Sequence, residues 1–369
     1  MSLITFLILF GGLVLLVIGA ELLVKGASNL AAILGISPLI IGLTIVAYGT
    51  SAPEMAVSVM SSWAGRADIA VGNVVGSNIF NILLILGLSA LVTPLVVTRQ
   101  LIRSDVPIMI GVSILLLMFG LDGKISRVDG TIFFIGGVVY TLSLIYQSRR
   151  QNNDSDEDEF NREYGYSGAR SRVVWFKDLV LIIGGLGLLV WGSRWLVDSA
   201  TAIARALGVS ELLIGLTIVS AGTSLPELAT SVIASIRGER DIAVGNVLGS
   251  NIFNILSVLG LAAIVAPSGI NVSESIIKFD VPVAIAVAFA CLPIFYSGNQ
   301  INRWEGLLFV FYYLAYAGYL VLDAIDQDSL SVYTTIMLFF IIPLTVITLI
   351  TIVLQERQAR RKKKMDKHI

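Results

Sequence analysis

The sequence has little charge and almost no cysteine or histidine. Charged residues make up 14% of its 369 residues, against roughly 25% in an ordinary soluble domain. The single cysteine, Cys291, excludes a disulfide within the chain, and the single histidine, His368, lies in the last two residues. A zinc site built from histidines and a proton relay through histidines are therefore not expected.

Several signatures of soluble function are missing as well. The net charge of −1 offers no overall attraction for nucleic acid. No paired nucleophile and base, no histidine cluster and no phosphate-binding loop can be recognised, so we expect neither enzyme activity nor a bound cofactor. No feature indicates a protein partner. The low charge content makes the lipid bilayer the expected surroundings.

Long apolar runs are what the sequence does have. Hydrophobic residues make up 56% of the chain and its mean hydropathy is +0.87. A transmembrane helix needs about 20 mostly apolar residues. Eleven segments fit, centred on residues 4–32, 38–62, 69–94, 104–121, 128–147, 176–204, 210–235, 241–265, 279–297, 304–323 and 331–355. The sequence thus predicts an all-α polytopic membrane protein.

The sequence also repeats itself. Shifting it by 173 positions places residues 34–94 on residues 207–267 with 41 of 61 positions identical. Each half then holds five predicted spans, and an odd number makes the second half cross the membrane in the opposite sense, so the five-helix repeats are predicted to be inverted. The predicted units are a first half at 1–147, an acidic cytoplasmic linker loop at 148–175, a second half at 176–323, and an additional C-terminal transmembrane helix with a basic tail at 324–369.

Basic residues predict how the chain is threaded through the membrane. With the N-terminus outside, 18 Lys or Arg residues fall in segments that face inward and five fall in segments that face outward. Positive charge is enriched on the cytoplasmic side of membrane proteins. We therefore expect an integral protein of the cell membrane with an external N-terminus and a cytoplasmic C-terminus.

Each half carries a proline and a glutamate inside an apolar span. Pro53 has no N–H to donate and its ring crowds the carbonyl four residues earlier, which predicts a kinked or unwound helix around residues 47–50. Pro226 predicts the same near residues 220–223. Freed carbonyls are tolerated in a membrane only where they face protein or a wet cavity. A bound cation would satisfy them.

Oxygen-bearing side chains gather around both prolines. Thr50 and Ser51 share a helical face with Glu54, and a second stripe recurs every four residues at Asn73, Ser77 and Asn81. The second copy has Thr223, Ser224, Glu227, Asn246, Ser250 and Asn254. Such hard oxygen donors suit Na⁺ and Ca²⁺. A single Asn, Ser or Thr can equally serve only to join helices, but two intramembrane carboxylates without an obvious basic partner indicate function.

The motifs GTSAPE…GNVVGSNIFN and GTSLPE…GNVLGSNIFN resemble the two alpha repeats of the sodium/calcium exchangers, in the calcium:cation antiporter superfamily. The resemblance implies a secondary antiporter that exports Ca²⁺ against inward Na⁺ flow by alternating access at the middle of the membrane. The metal ligands that it implies are side chains of Thr50, Ser51, Glu54, Ser77, Asn81, Thr223, Ser224, Glu227, Ser250 and Asn254, with backbone oxygens from Ala47 and Ser220.

One departure from the family pattern concerns charge. Some relatives, including the potassium-dependent exchangers, have an aspartate where this chain has Asn254. Only two carboxylates are therefore expected in the centre. Two carboxylates neutralise one Ca²⁺, and the three Na⁺ that the resemblance implies would leave a net charge of +1. We therefore expect electrogenic exchange without K⁺. Exchange of Ca²⁺ or another cation for H⁺ is the alternative, although the extra acidic residue usual in proton-coupled relatives is missing, and a passive cation channel is a weaker one.

Overall fold

The computed structural model describes residues 3–65, 68–151, 172–208, 220–296 and 298–325, together with short pieces between residues 330 and 350. In this part of the chain, eight helices are long and apolar enough to cross a membrane, and a bent pair makes nine if counted as one span. The predicted all-α membrane fold is therefore confirmed. The acidic run of the linker, the basic tail and parts of the seventh and eleventh predicted spans lie outside the described residues.

The chain alternates long helices with very short strands. The elements of the first half are α1 (Leu3–Leu34), α2 (Pro38–Thr50), α3 (Ala52–Trp63), α4 (Ile69–Val92), β1 (Leu95–Val96), α5 (Leu101–Gly120), β2 (Lys124–Ile125) and α6 (Arg127–Gln151). Those of the second half are α7 (Arg172–Ala206), α8 (Ser220–Gly222), α9 (Leu225–Ile236), α10 (Arg240–Val265), β3 (Ile270–Asn271), α11 (Ile276–Tyr296), β4 (Gln300–Ile301) and α12 (Arg303–Ile325).

Helices α4 and α10 form the centre of the molecule. Of their most apolar stretches, 78% and 89% of the residues are buried, compared with 22% for α1. Both central helices widen into a π-helical turn, at Asn81–Leu86 and Asn254–Leu259. Such turns are frequent at functional sites. The repeated polar motif is thus carried by the two most buried of the eight long apolar helices described.

Helices α1 and α7 pack closely and run in opposite directions. A Cβ added to Gly12 would lie 2.8 Å from the carbonyl oxygen of Gly192, and one added to Gly19 would lie 2.8 Å from that of Gly185. The residue numbers at the contacts therefore increase along α1 while they decrease along α7, so the two helices are antiparallel. Small residues permit this approach of two backbones in a membrane, where van der Waals packing drives association.

The four short strands tie the halves together reciprocally. Strand β1 pairs with β4, placing Leu95 opposite Ile301, and β2 pairs with β3, placing Lys124 opposite Asn271. Both pairs are antiparallel. Each half thus contributes one strand to each pair, as expected of two units related by an approximate twofold axis.

Candidate cation site

The predicted break before Pro53 is present. Helices α2 and α3 meet at an angle of 46°, and Ser51 between them has φ −79° and ψ 7°, outside the helical range. Pro53 lies in the first turn of α3, where a missing N–H costs nothing. In the second half, Ser224 has φ −89° and ψ 7° just before α9, which begins at Leu225. The same local chemistry therefore begins both carboxylate-bearing helices.

The two glutamates are held by serines of the opposite half. Ser51 Oγ donates to Glu227 Oε1 at 3.0 Å, and Ser224 Oγ donates to Glu54 Oε1 at 2.9 Å. Both glutamates are fully buried. The shared helical face of Ser51 and Glu54 suggested a cluster within one half, whereas the structure exchanges these partners between halves. The exchange brings both carboxylates into one site.

A second pair of bonds crosses between the halves in the same way. Thr50 Oγ1 donates to Asn246 Oδ1 at 3.0 Å, and Thr223 Oγ1 donates to Asn73 Oδ1 at 3.3 Å. The amide nitrogen of Asn73 donates to Ser58 Oγ at 3.0 Å. In the second half, the amide nitrogen of Asn246 donates to Ser231 Oγ at 2.9 Å. These contacts orient the amide oxygens toward the threonines.

Helices α4 and α10 cross at a ring of hydrogen bonds between Asn78 and Asn251, to which Asn81 and Asn254 are also bonded. Asn78 Nδ2 donates to the Asn251 carbonyl at 3.1 Å and Asn251 Nδ2 donates to the Asn78 carbonyl at 3.4 Å. Asn81 Nδ2 donates to Asn251 Oδ1 at 3.1 Å, and Asn254 Nδ2 donates to Asn78 Oδ1 at 3.0 Å. The sequence analysis missed Asn78 and Asn251, although both lie in the repeated GSNIFN. The side-chain nitrogens of Asn81 and Asn254 are both used in these bonds. Their side-chain oxygens are left without a hydrogen-bond partner among the described residues.

Five buried oxygens of the predicted ligand set have no hydrogen-bond partner among the described residues. They are Glu54 Oε2, Glu227 Oε2, Asn81 Oδ1, Asn254 Oδ1 and Ser250 Oγ. A buried acceptor without a partner costs ~1–3 kcal/mol, and more when it is charged. Bound cations would supply the partners that these oxygens lack. The described part of the chain gathers no group of three or more His, Cys, Asp or Glu, so this centre contains two carboxylates and no third.

The remaining predicted ligands take different positions. Ser77 Oγ lies 3.1 Å from Ser224 Oγ and acts as the donor in this contact, because the single proton of Ser224 goes to Glu54. The Ala47 carbonyl accepts from the Ser51 N–H at 3.0 Å, and its second lone pair is left for an ion because the Thr50 hydroxyl proton goes to Asn246. Ser220 is the first residue of α8, directly after residues outside the described part.

A cavity of about 610 Å³ reaches the centre from one side. It touches Ser77 and Thr223 at its inner end, and the wall also includes Asp280, Ala221 and Tyr316. Most of the other described residues around it are apolar. The cavity brings space for water and ions to the edge of the carboxylate centre.

Comparison with known proteins agrees with this geometry. A family model described as sodium/calcium exchanger protein matches residues 4–147 and 177–322. The putative antiporter CaxA of Alkalimonas amylolytica is 42% identical over 306 residues, which cover 83% of this chain and 95% of that protein. The sodium/calcium exchanger MaX1 of Methanosarcina acetivorans is 34% identical over 342 residues, which cover 85% of this chain and 97% of that protein.

A solved structure has the same fold. The sodium–calcium exchanger NCX_Mj, soaked with 2.5 mM Na⁺ and 0.1 mM Ca²⁺, matches with a TM-score of 0.73 at 29% sequence identity. The match covers 89% of this chain and all of that one. Fold and motif therefore point to the same family.

Proposed function

The chain belongs to the sodium/calcium exchanger family, and we propose that it exchanges Na⁺ for Ca²⁺ at the centre formed by Glu54 and Glu227. Members of this family are integral membrane antiporters of cations, not enzymes, and their substrates are Ca²⁺ and Na⁺. They use the transported ions and no cofactor. The proposal concerns the identity of the coupling ion, the site and the charge that is moved.

The observation that carries the proposal is the group of five unpartnered oxygens around two buried carboxylates. Only oxygen donors are present, and they are the ligands that Na⁺ and Ca²⁺ prefer. In our proposal, Ala47, Thr50, Ser51, Glu54, Ser77 and Asn81 and their counterparts Ser220, Thr223, Ser224, Glu227, Ser250 and Asn254 form the transport sites. The asparagines Asn78 and Asn251 position the amides without binding the ions.

Charge balance supports an electrogenic cycle. Ca²⁺ neutralises the two carboxylates, whereas three Na⁺ leave a net charge of +1, so each cycle moves charge. Asn81 and Asn254 occupy positions where an aspartate would add a third negative charge. Their neutrality supports exchange that does not need K⁺.

We also propose the inverted architecture, with halves at 1–147 and 176–323 joined by a linker at 148–175 and followed by an extra span and tail at 324–369. The antiparallel packing of α1 on α7 supports it, because these helices hold equivalent places in the two halves. In the cell membrane, the N-terminus would be outside and the C-terminus cytoplasmic. The close contact between α1 and α7 favours their movement as one body when access alternates.

The test is radioactive Ca²⁺ flux in proteoliposomes with Na⁺, K⁺ and H⁺ gradients imposed separately. We expect an outward Na⁺ gradient alone to drive uptake and a membrane voltage to change its rate. Uptake driven by a pH gradient without Na⁺ would instead indicate Ca²⁺/H⁺ exchange. Ca²⁺ passage without any countertransported ion would indicate a channel and contradict the proposal.

A further inference from the structure

The two halves differ at the residue three positions before each bend serine, Ser51 or Ser224. The first repeat has Tyr48 where the second has Ala221. The Tyr48 ring centroid lies 3.7 Å from that of Phe253, and its hydroxyl lies 3.2 Å from Thr141 Oγ1 and 3.3 Å from Ser257 Oγ. The side chain of Tyr48 thus fills the space beside the central helix α10.

The Ala221 side is open by comparison. Ala221 lines the cavity of about 610 Å³ next to Thr223. Phe80, the counterpart of Phe253, is met there by Tyr313 of α12, edge-on at a centroid distance of 5.2 Å. Both aromatic rings stand at the cavity wall without filling it. The exchange of a tyrosine for an alanine between the repeats therefore accompanies the presence of the cavity on one side.

Asp280 lies in this cavity. It ends the π-helical turn Ile276–Asp280 that begins α11, and Tyr316 of α12 donates to its Oδ1 at 2.8 Å. No Lys or Arg in the described part of the chain forms an ion pair with Asp280; the two described ion pairs involve other residues. The cavity thus presents a carboxylate without a counter-ion.

The repeat-equivalent aspartate shows the same pairing in a closed setting. Asp-Val-Pro occurs at residues 105–107 and again at 280–282. Tyr140 donates to Asp105 Oδ1 at 2.9 Å, and the Tyr140 ring lies 6.0 Å from Phe253, the ring that Tyr48 covers. Asp105 is fully buried, and its other oxygen has no partner among the described residues. The Asp–Tyr pair is therefore present in both halves, and the copy in the second half lines the cavity.

We propose that Asp280 binds the cation on its way between the membrane surface and the Glu54–Glu227 centre, in a cavity kept open by Ala221. This rests on the proposed function, since a transported cation is the occupant. An intramembrane carboxylate without a basic partner marks an ion pathway. A negative wall also raises the local concentration of cations. Asp105 is the equivalent carboxylate on the opposite pathway, which Tyr48 and Phe253 close in this structure.

The first experiment tests access without depending on transport. Ala221→Cys and Tyr48→Cys are each treated in proteoliposomes with a charged, membrane-impermeant thiol reagent, and labelling is read by mass spectrometry. The unsubstituted protein is the background control, because its only cysteine, Cys291, is fully buried. We expect cysteine at 221 to react at least about tenfold faster than cysteine at 48, as buried thiols are inert. Equal rates, or reaction of neither, would overturn the proposal.

The second experiment tests the carboxylate, with Ca²⁺ alone as the probe. Ca²⁺ should slow labelling of the cysteine at position 221. Asp280→Asn should raise the half-protecting Ca²⁺ concentration by about tenfold or more, while Asp280→Glu should restore protection. The matched control is Asp122→Asn, because Asp122 is an exposed acidic residue in the turn after α5. Unchanged protection in Asp280→Asn would overturn the proposal.

A third measurement separates this site from the central one. In Glu54→Gln, Ca²⁺ protection of the cysteine at 221 should persist, and adding Asp280→Asn should abolish it. Loss of all protection in Glu54→Gln alone would assign it to the central site and overturn the proposal. If flux does not depend on Na⁺ but protection still depends on Asp280, the proposed coupling ion fails while the Asp280 site stands.

Discussion

The two halves of this molecule are alike at the centre and differ along the two approaches that lead to it. At the centre, the serine-to-glutamate bonds measure 3.0 and 2.9 Å and the asparagine-to-serine bonds measure 3.0 and 2.9 Å. On the approaches, Tyr48 aligns with Ala221 in the two repeats, and Asp105, which is buried, aligns with Asp280, which is half-buried. The proposed ligands are therefore matched in the two repeats, whereas residues along the approaches differ.

This difference has a physical explanation. The proposed cation centre draws its donors from both halves, so a change in either copy would remove ligands from the same site. Under the proposed alternating access, the two approaches are never open together, so equivalent approaches differ in any one state. In our proposal, side-chain bulk contributes to this difference, since one half has a tyrosine ring where the other has a methyl group.

The largest expected effect tests the equivalence of the two glutamates. Glu54→Gln and Glu227→Gln should each reduce Na⁺-driven Ca²⁺ flux by about a hundredfold or more, because removing one partner of a buried charge pair costs ~3 kcal/mol or more. The exposed Glu274→Gln serves as the control, since Glu274 pairs only with Lys278 at the surface. Near-normal flux in either central variant would break the equivalence of the halves.

The next effect concerns the open approach. Ala221→Tyr places in the second half the side chain that fills the first, and we expect it to slow flux by about tenfold or more, since it would occupy the path that leads to Thr223. Ala221→Ser, which adds only one oxygen atom, should stay within about twofold of the unsubstituted protein. Equal flux in all three proteins would show that ions reach the centre by another route.

A smaller effect sharpens the charge count at the centre. Asn81→Asp and Asn254→Asp each add a third carboxylate, so each should change the charge moved per Ca²⁺, measured as current against isotope flux. Because the two asparagines are bonded in equivalent ways to Asn251 and Asn78, the two variants should behave alike. Asn271→Asp, on the exposed side of strand β3, is the control for added charge.

The smallest effect concerns the hydroxyl of Tyr48. Tyr48→Phe keeps the ring against Phe253 and loses the bonds to Thr141 and Ser257. We expect a loss of about 0.5–1.5 kcal/mol in stability, seen as a lower midpoint of thermal unfolding in detergent, with unchanged flux. A large fall in flux would mean that the hydroxyl, and not the ring, decides the state of this approach.

Much of the fold was predictable because its signals are local. A run of about 20 apolar residues indicates a span wherever it occurs, and Pro53 breaks its helix through its own ring. The site was predictable only in part. Ser51 was expected beside Glu54 but bonds to Glu227, 176 positions away, and the roles of Asn78 and Asn251 depend on a helix crossing that no local pattern encodes.

The sequence by itself determined the membrane class, the repeat, the bend and the set of oxygen donors, because composition, periodicity and proline chemistry act within a few residues. Only the tertiary structure decided which donor serves which carboxylate, which oxygens are left without partners and which approach holds a cavity. Those outcomes depend on how two distant copies of one motif face each other. Packing between halves is a property of the folded chain and not of either repeat alone.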